Sequence, residues 1–384
     1  MAATFSAKNP YSSNITENRL LNGEGATKET RHFVFNLPDE GLEYKVGDAL
    51  GVIGENPVPT VEAILACTGW DGQMQVTTHT GEKNLRQALL TDVEIHRVNK
   101  KFINSLLERI AEERGMMSAR ITSRSRSSVS GGESNSWNWL GESDDWPDNY
   151  PSISQGSSPR AIVENLTEDA EAMENYIWSR DYIDVIEQFG VLHSPEELLS
   201  LADKLKPRLY SIASSLDAHP GKVELTVAIV RYEHHDRLRG GLCTAYMADE
   251  VEIDKTPVSI FMSPTKSFVL PADKGTDIIM VGPGTGIAPF RAFLEQREFD
   301  SAVGRNWLFF GDQSERTEYY YSEQIESWLE NGTLYKYTTA WSRDQAEKIY
   351  VQHRMAENGE EIWQWLSNGA YFYICGDKTY MAKD

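Results

Sequence analysis

The sequence predicts an antiparallel β-barrel joined to an α/β domain: the barrel is split by a helical insertion and followed by a parallel sheet. Three observations carry this. Short β-type runs between turn-rich segments open the chain and return after residue 206. Apolar residues at helical spacing fill the stretch between them. From Thr276 the rhythm becomes strand, helix, strand, the pattern of a parallel sheet with helices on both faces. At 384 residues the chain is also too long for one ordinary core.

In order, Glu17 to Asn22, Thr30 to Asn36 and Glu43 to Ile53 read as strands. Turn-rich Asn22-Gly23-Glu24-Gly25 and Pro38-Asp39-Glu40-Gly41 separate them. Val61, Ile64 and Leu65, then Ile103, Leu106, Leu107 and Ile110, repeat at helical spacing. Between 115 and 160 that periodicity is lost in a serine-rich and then acidic stretch, which reads as disordered. Its Trp137, Trp139 and Trp146 are either docking residues or sticky residues of a solvated loop. Helix returns over Ala161 to Phe189 and from Ser194 to Leu205, where Ser194-Pro195-Glu196-Glu197 is a helix start. Arg208 to Ser214, Lys222 to Tyr232 and Val258 to Met262 complete the barrel. Asp277 to Val281, Trp307 to Gly311, Leu334 to Thr338 and Tyr371 to Cys375 are strands of the parallel sheet. Helices are expected at Pro289 to Phe299 and Glu318 to Leu329, with a last pair ending at Asn368-Gly369. The expected domains are therefore a discontinuous barrel over 1–59 and 206–273, an insertion over 60–205, and an α/β domain over 274–384.

Composition narrows the function. A net charge of −21 argues against a nucleic-acid partner and suits either a basic redox partner or plain solubility. No apolar run approaches a membrane span, and the first residues lack the basic-then-apolar pattern of a secretory signal. Three scattered cysteines, Cys67, Cys243 and Cys375, form neither a disulfide framework nor a metal cage. No metal is expected, and the cytoplasm is the expected location.

Two segments carry chemistry. Gly282-Pro283-Gly284-Thr285-Gly286 follows a strand and precedes a helix with Pro289 in its first turn. Glycines there let backbone N–H groups approach a pyrophosphate, and a helix start favours an anion. Gly282, Gly284, Thr285 and Gly286 are thus candidates for a nicotinamide dinucleotide; a purely structural turn is the alternative. Farther on, Ser342, Arg343 and Lys348 offer a hydroxyl, a planar fork and an ammonium to the 2′-phosphate of NADPH. Tyr350 could stack on adenine. Alternatively, Arg343 and Lys348 are surface charges paired with Asp344 and Glu347.

The second segment is Arg208 to Ser215, RLYSIASS. Arg208 can bind a flavin pyrophosphate, Tyr210 can stack on an isoalloxazine, and Ser211 can hydrogen-bond its edge. Strand alternation sends Tyr210 and Ser211 to opposite faces, so a bend is needed for both to reach one ring. Periodicity alone supports only a strand. Gly240-Gly241-Leu242-Cys243-Thr244 either offers N–H groups and a hydroxyl to the same pyrophosphate or simply starts a helix.

Together with YKVGDALGV from Tyr44, NWLFFGDQ from Asn306, AWSRDQAEKIYVQ from Ala340 and YICGDKTYMAKD from Tyr373, these segments resemble the FAD/NADP reductase module of the ferredoxin reductase superfamily. The likeness is to its diflavin branch, and there to the flavoprotein components of assimilatory NADPH–sulfite reductases. The resemblance implies FAD contacts at Arg208, Leu209, Tyr210 and Ser211, at Thr226, Val227, Ala228 and Tyr232, and at Gly240, Gly241, Leu242, Cys243 and Thr244. It implies NADP contacts at Ser342, Arg343, Lys348, Ile349, Tyr350, Val351, Gln352 and Asp384. It places Ser211 and Cys375 at the nicotinamide as catalytic residues orienting hydride transfer; from the residues alone, Cys375 is a buried strand-end thiol. The implied activity is an NADPH-dependent FAD oxidoreductase. Its acceptor is a sulfite reductase haemoprotein or a separate FMN protein; a general flavodoxin or cytochrome reductase, or an inactive remnant, are the alternatives. Three departures stand out. The chain opens at the barrel with no FMN domain, His96 stands where the family more often has Thr, and the α/β domain reads as truncated after Asp384.

Overall fold

The computed structural model describes residues 5–106, 108–109, 162, 165–166, 168–191, 193–235 and 237–376. The expected excursion over 115–160, with its three tryptophans, lies outside the described residues, and so does Asp384. The chain divides into two compact units. One holds Met1–Gly54, Pro207–Tyr232 and Arg239–Asp384; the other holds Glu55–Lys206 and Glu233–Leu238.

The first unit contains two sheets. Its antiparallel sheet begins with β1 (Tyr11–Leu20), β2 (Glu29–Asn36) and β3 (Ala49–Ile53). The chain then forms the second unit, with its ribbon β4 (Gln75–Thr78) and β5 (Gly81–Asn84), and returns as β6 (Arg208–Ser211) and β7 (Lys222–Ile229). A short ribbon, β8 (Arg231–His234) and β9 (Arg237–Gly240), precedes β10 (Pro257–Ser263). The sheet order is β6-β3-β10-β1-β2-β7. β1 changes partner along its length, pairing with β10 over Tyr11–Asn14 and with β2 from Ile15 onward. The register shift between Ile15 and Glu17 is the bulge at which the sheet turns its corner. Phe33, Phe35, Leu50, Val52, Leu225 and Ile260 fill the inside.

The barrel is not closed by a continuous ladder. Its edge strands touch at the single Ile212↔Leu225 bridge, beside which Ala213 N–H donates to Glu224 O at 2.7 Å. The ladder ends there because the next backbone groups bond side chains of a distant helix. Ala213 O accepts from Arg291 at 2.6 Å, and Ser215 N–H donates to Glu295 at 2.9 Å.

The parallel sheet contains β11 (Ile278–Val281), β12 (Asn306–Asp312), β13 (Lys336–Trp341) and β14 (Tyr371–Ile374), in the order β13-β12-β11-β14. The chain steps outward from β11 to β13 and then crosses back to the other side of β11. The order therefore reverses between β11 and β14, and the carboxyl ends of those strands form the crevice where α/β sheets bind ligands. Two expectations need correction. The strand expected from Leu334 begins at Lys336, because Leu334 is spent filling the core under helix Ser322–Asn331. The helix expected over Glu318 to Leu329 is two, Glu315–Glu318 and Ser322–Asn331, broken at Tyr321, whose φ is 58°.

Among the described residues the second unit is helical apart from β4, β5 and the part of the β8–β9 ribbon within Glu233–Leu238. Its core gathers Val61, Ile64, Leu89, Phe102, Tyr182 and Val185. The helix expected from Ala161 is interrupted after Ser179, since Asp181 caps a new one: its side chain accepts Asp184 N–H at 3.0 Å, and Asp184 accepts Asp181 N–H at 2.8 Å. Ser194 and Glu197 form the same reciprocal cap on helix Pro195–Leu201. The ribbon is too polar (Thr77, Thr78, Glu82, Lys83) to have announced itself as strand. Among the described residues no helix is long and apolar enough to cross a membrane.

Candidate functional site

The glycine turn is built by its neighbours. All four residues of β11 are buried, as a strand covered on both faces requires. Gly282 N–H donates to Phe309 O of β12 at 3.0 Å, which ties the turn to the next strand. Residues Gly284–Ile287 make one 3₁₀ turn, and helix Ala288–Phe299 follows with Pro289 in its first turn. A Cβ on Gly286 would lie 2.1 Å from Cys375 O, and one on Gly282 would lie 2.5 Å from Gly286 O. Those two glycines are required by the protein's own packing. Gly284 is required by its φ of 58°, and the nearest atom to its Cβ position is Asp312 Oδ2 at 3.7 Å. Gly282 N–H and Gly286 N–H are used within the fold, the latter donating to Pro283 O at 3.0 Å, so the start of the 3₁₀ turn at Gly284 and Thr285 is where an anionic ligand would be met.

Ser211 and Cys375 are brought together. Ser211 ends β6, opposite Ala49 of β3, and Cys375 follows β14, with its N–H donating to Val281 O at 2.9 Å. The Cys375 thiol lies close enough to the Ser211 hydroxyl to be influenced by it. Burial pushes the Cys375 thiol up, while the nearby Ser211 hydroxyl acts the other way, so the group stays S–H at neutral pH. A protonated thiol orients and packs; it does not attack.

Tyr210 and Ser211 are not brought together. Alternation holds along β6, and Tyr210 packs against the barrel core with its hydroxyl close to the Cys243 thiol. Burial raises both groups, the thiol to about 11. The Arg208 guanidinium lies near enough to oppose both shifts, so Arg208, Tyr210 and Cys243 form one cluster. Leu209 is exposed. Gly241 leads into helix Leu242–Ala245, whose first N–H groups have no intrahelical acceptor. Thr244 Oγ1 caps the turn, donating to Gly241 O and accepting Val230 N–H, each at 3.2 Å. Thr226 and Val227 are buried, and Thr226 Oγ1 is hydrogen-bonded to Tyr321 Oη at 2.6 Å. Thr226 thus faces Tyr321 and Val227 the barrel core, with exposed Ala228 and half-buried Tyr232 beyond. His96 lies half-buried in the helical unit.

The loop after β13 is held by its backbone: Ser342 N–H donates to Asp312 O at 2.8 Å and Arg343 N–H to Gln313 O at 2.7 Å. Its charges are not neutralised locally. Arg343 and Lys348 are exposed and form no ion pair among the described residues, while Asp344 caps another helix by accepting Glu315 N–H at 2.8 Å. From Lys348 to Val351 the chain alternates. Ile349 and Val351 pack inward, whereas Lys348 and Tyr350 are exposed; Gln352 is half-buried. A half-buried hydroxyl, an exposed fork and ammonium, and an exposed ring fit a phosphorylated adenosine.

Sequence reasoning missed one pair at this site. Asp312, at the carboxyl end of β12, is buried and paired with Lys28 from the β1–β2 loop. Its Oδ2 has no hydrogen-bond partner among the described residues, and burial raises its carboxyl. Only the unusual Asp at the end of an apolar strand could have signalled it.

Comparison with known proteins agrees with this layout. The FAD binding domain family matches residues 3–114 and 158–246, and the oxidoreductase NAD-binding domain family matches residues 280–384. The chain is 37% identical over 385 residues to the sulfite reductase [NADPH] flavoprotein alpha-component of Bacillus subtilis, covering 100% of this chain and 56% of the relative. The corresponding protein of Mannheimia succiniciproducens is 34% identical over 100% of this chain and 56% of its own length. That of Vibrio cholerae is 36% identical over 99% and 54%. The chain thus spans about half the length of these relatives.

Proposed function

We propose, for a chain that belongs to the FAD binding domain family and carries an oxidoreductase NAD-binding domain behind it, that it takes a hydride from NADPH onto FAD and releases the electrons singly to a redox protein. The contact between Ser211 and Cys375 carries this reading: the end of the flavin strand meets the end of the dinucleotide sheet. When bound, the flavin supplies the conversion from two-electron to one-electron transfer. The chain supplies position.

Arg208 and the N–H groups of residues 242–244 hold the flavin pyrophosphate, and Ser211, on the face of β6 away from Tyr210, meets the edge of its ring. The Gly282–Gly286 turn holds the dinucleotide pyrophosphate, and Ser342, Arg343 and Lys348 select the 2′-phosphate. Ser211 and Cys375 orient the nicotinamide, with Cys375 keeping its proton. The domain assignment that goes with this is the barrel over 1–59 and 206–273, the insertion over 60–205 and the nucleotide domain over 274–384. The names of the relatives support a place in a sulfite reductase; the acceptor proposed with it is a haemoprotein, reached directly or through an FMN protein. The scattered cysteines support a cytoplasmic setting.

Anaerobic mixing tests the reading. The flavin-loaded protein is expected to bleach with NADPH and far more slowly with NADH, and then to reduce an added one-electron acceptor. A protein that binds no flavin, or binds it and is not bleached, is an inactive remnant.

A further inference from the structure

Behind the two sites lies a buried ionic cluster that no step above uses. Arg291, one turn into the helix that starts at the glycine turn, is 8% exposed. Its Nη1 donates to Ala213 O and to Glu224 Oε2, both at 2.6 Å. Its Nη2 meets Glu295 Oε1 at 2.8 Å, and its Nε donates to Gln324 at 2.7 Å. Glu295 in turn accepts Ser215 N–H at 2.9 Å and lies 3.2 Å from His219 Nε2.

The connectivity is the informative part. Ala213 and Ser215 continue the strand that carries Tyr210 and Ser211, while Arg291 and Glu295 belong to the helix that starts beside Gly286. Gly286 in turn packs on Cys375 O. A buried ion pair adds little stability over well-packed apolar residues, but its directed bonds fix one register. His219, Glu224 and Glu295 each have a ligand atom within 4.8 Å of the others, a spacing that could suit a cation. The guanidinium already occupies an oxygen of each carboxylate, so the cluster is built around Arg291 and not around a metal.

We infer that Arg291, with Glu224, Glu295 and His219, is a positioning clamp that holds Ser211 against Cys375 and so sets the distance over which hydride passes. The clamp rests on the proposed NADPH-to-FAD reaction for its kinetic consequence only; the Ser211–Cys375 contact can be followed without any cofactor. Arg291→Lys keeps the charge and loses the fork. With flavin bound, it is expected to lower the rate of bleaching at saturating NADPH by about ten- to a hundredfold, leave the NADPH concentration dependence unchanged, and enlarge the isotope effect with 4-deuterated NADPH. In flavin-free protein, peptide mapping after alkylation is expected to show Cys375 labelled several-fold faster than in the parent, with buried Cys243 unchanged.

His219→Gln is the milder variant if Arg291→Lys does not fold; a smaller shift of both readouts in the same direction is expected. Wild-type rates of bleaching and of Cys375 labelling in the folded variant overturn the clamp. A parent protein that NADPH does not bleach overturns the proposed function instead, and the labelling comparison still decides the clamp.

Discussion

The two glycine turns of the first unit look alike in sequence and are built differently. At Gly282–Gly286 the nearest atoms that forbid a side chain are backbone, Cys375 O 2.1 Å from a Cβ on Gly286 and Gly286 O 2.5 Å from one on Gly282, with the Phe290 ring at 2.6 Å beside the latter. At Gly240 and Gly241 they are mainly side chains, Ala245 Cβ at 2.5 Å, Thr244 Oγ1 at 2.7 Å and Val230 Cβ at 2.9 Å. The first turn is clamped between two parallel strands and backed by the helix Ala288–Phe299. The second leads into one α-turn, Leu242–Ala245, that relaxes into a π-turn over Tyr246–Glu250. A backbone carbonyl cannot step aside, whereas a hydroxyl can rotate. The turn at Gly282–Gly286 is therefore the more rigid; at the other, the Thr244 hydroxyl can yield beside Gly241, whereas Ala245 Cβ beside Gly240 moves only with its backbone.

Gly286→Ala should break this difference most visibly. Separating the turn from Cys375 is expected to cost about 3 kcal/mol of stability, read in urea, and to abolish bleaching by NADPH while flavin stays bound. Gly284→Ala tests handedness instead of space, and about 1–2 kcal/mol is expected. Gly241→Ala is expected to cost only about 1 kcal/mol, with a several-fold loss of flavin affinity by titration. Equal losses for Gly241→Ala and Gly286→Ala would mean that the two turns are equally rigid.

Replacing Arg343 and Lys348 together by Ala leaves both turns alone and removes the exposed cations. A rise of about ten- to a hundredfold in the dissociation constant for NADPH is expected, with none for NADH. Equal weakening of both would assign these residues to the fold and not to the 2′-phosphate.

What could be read in advance followed from how local each requirement is. The strand, turn and helix around Gly282 were legible because their signals adjoin one another in sequence. Alternation along β6 was legible too, and it correctly warned that Tyr210 and Ser211 face apart. The burial of Thr226 against Tyr321 was not, since it depends on a residue 95 positions away that breaks a helix in the left-handed region. Arg291 was invisible for the same reason. In sequence it is one more charge on a helix; its partners Glu224 and Ala213 lie 67 and 78 positions earlier. The incomplete closure of the barrel follows from that same helix, which takes the backbone groups that a longer ladder would have used.

His219 gives the smallest effect and the finest test of the rigid side of this comparison. Its hydrogen bond to Glu295 raises its pKa above the ordinary value, burial acts against that, and Glu295 and Glu224 add to the rise while Arg291 opposes it. His32, also facing Glu224, is held near 3 by burial and stays neutral. A group raised in the folded state stabilises fully below its unfolded pKa of about 6.5 and loses that contribution as pH rises through the folded value. The His219 side chain is 34% exposed, so solvent screening keeps the term small. The melting midpoint of the parent should exceed that of His219→Gln by about 2 °C at low pH, and the gap should close on the alkaline side of neutrality. A gap that instead widens with pH would mean that His219 sits in the cluster as a neutral ring, leaving Arg291 alone to balance the two carboxylates.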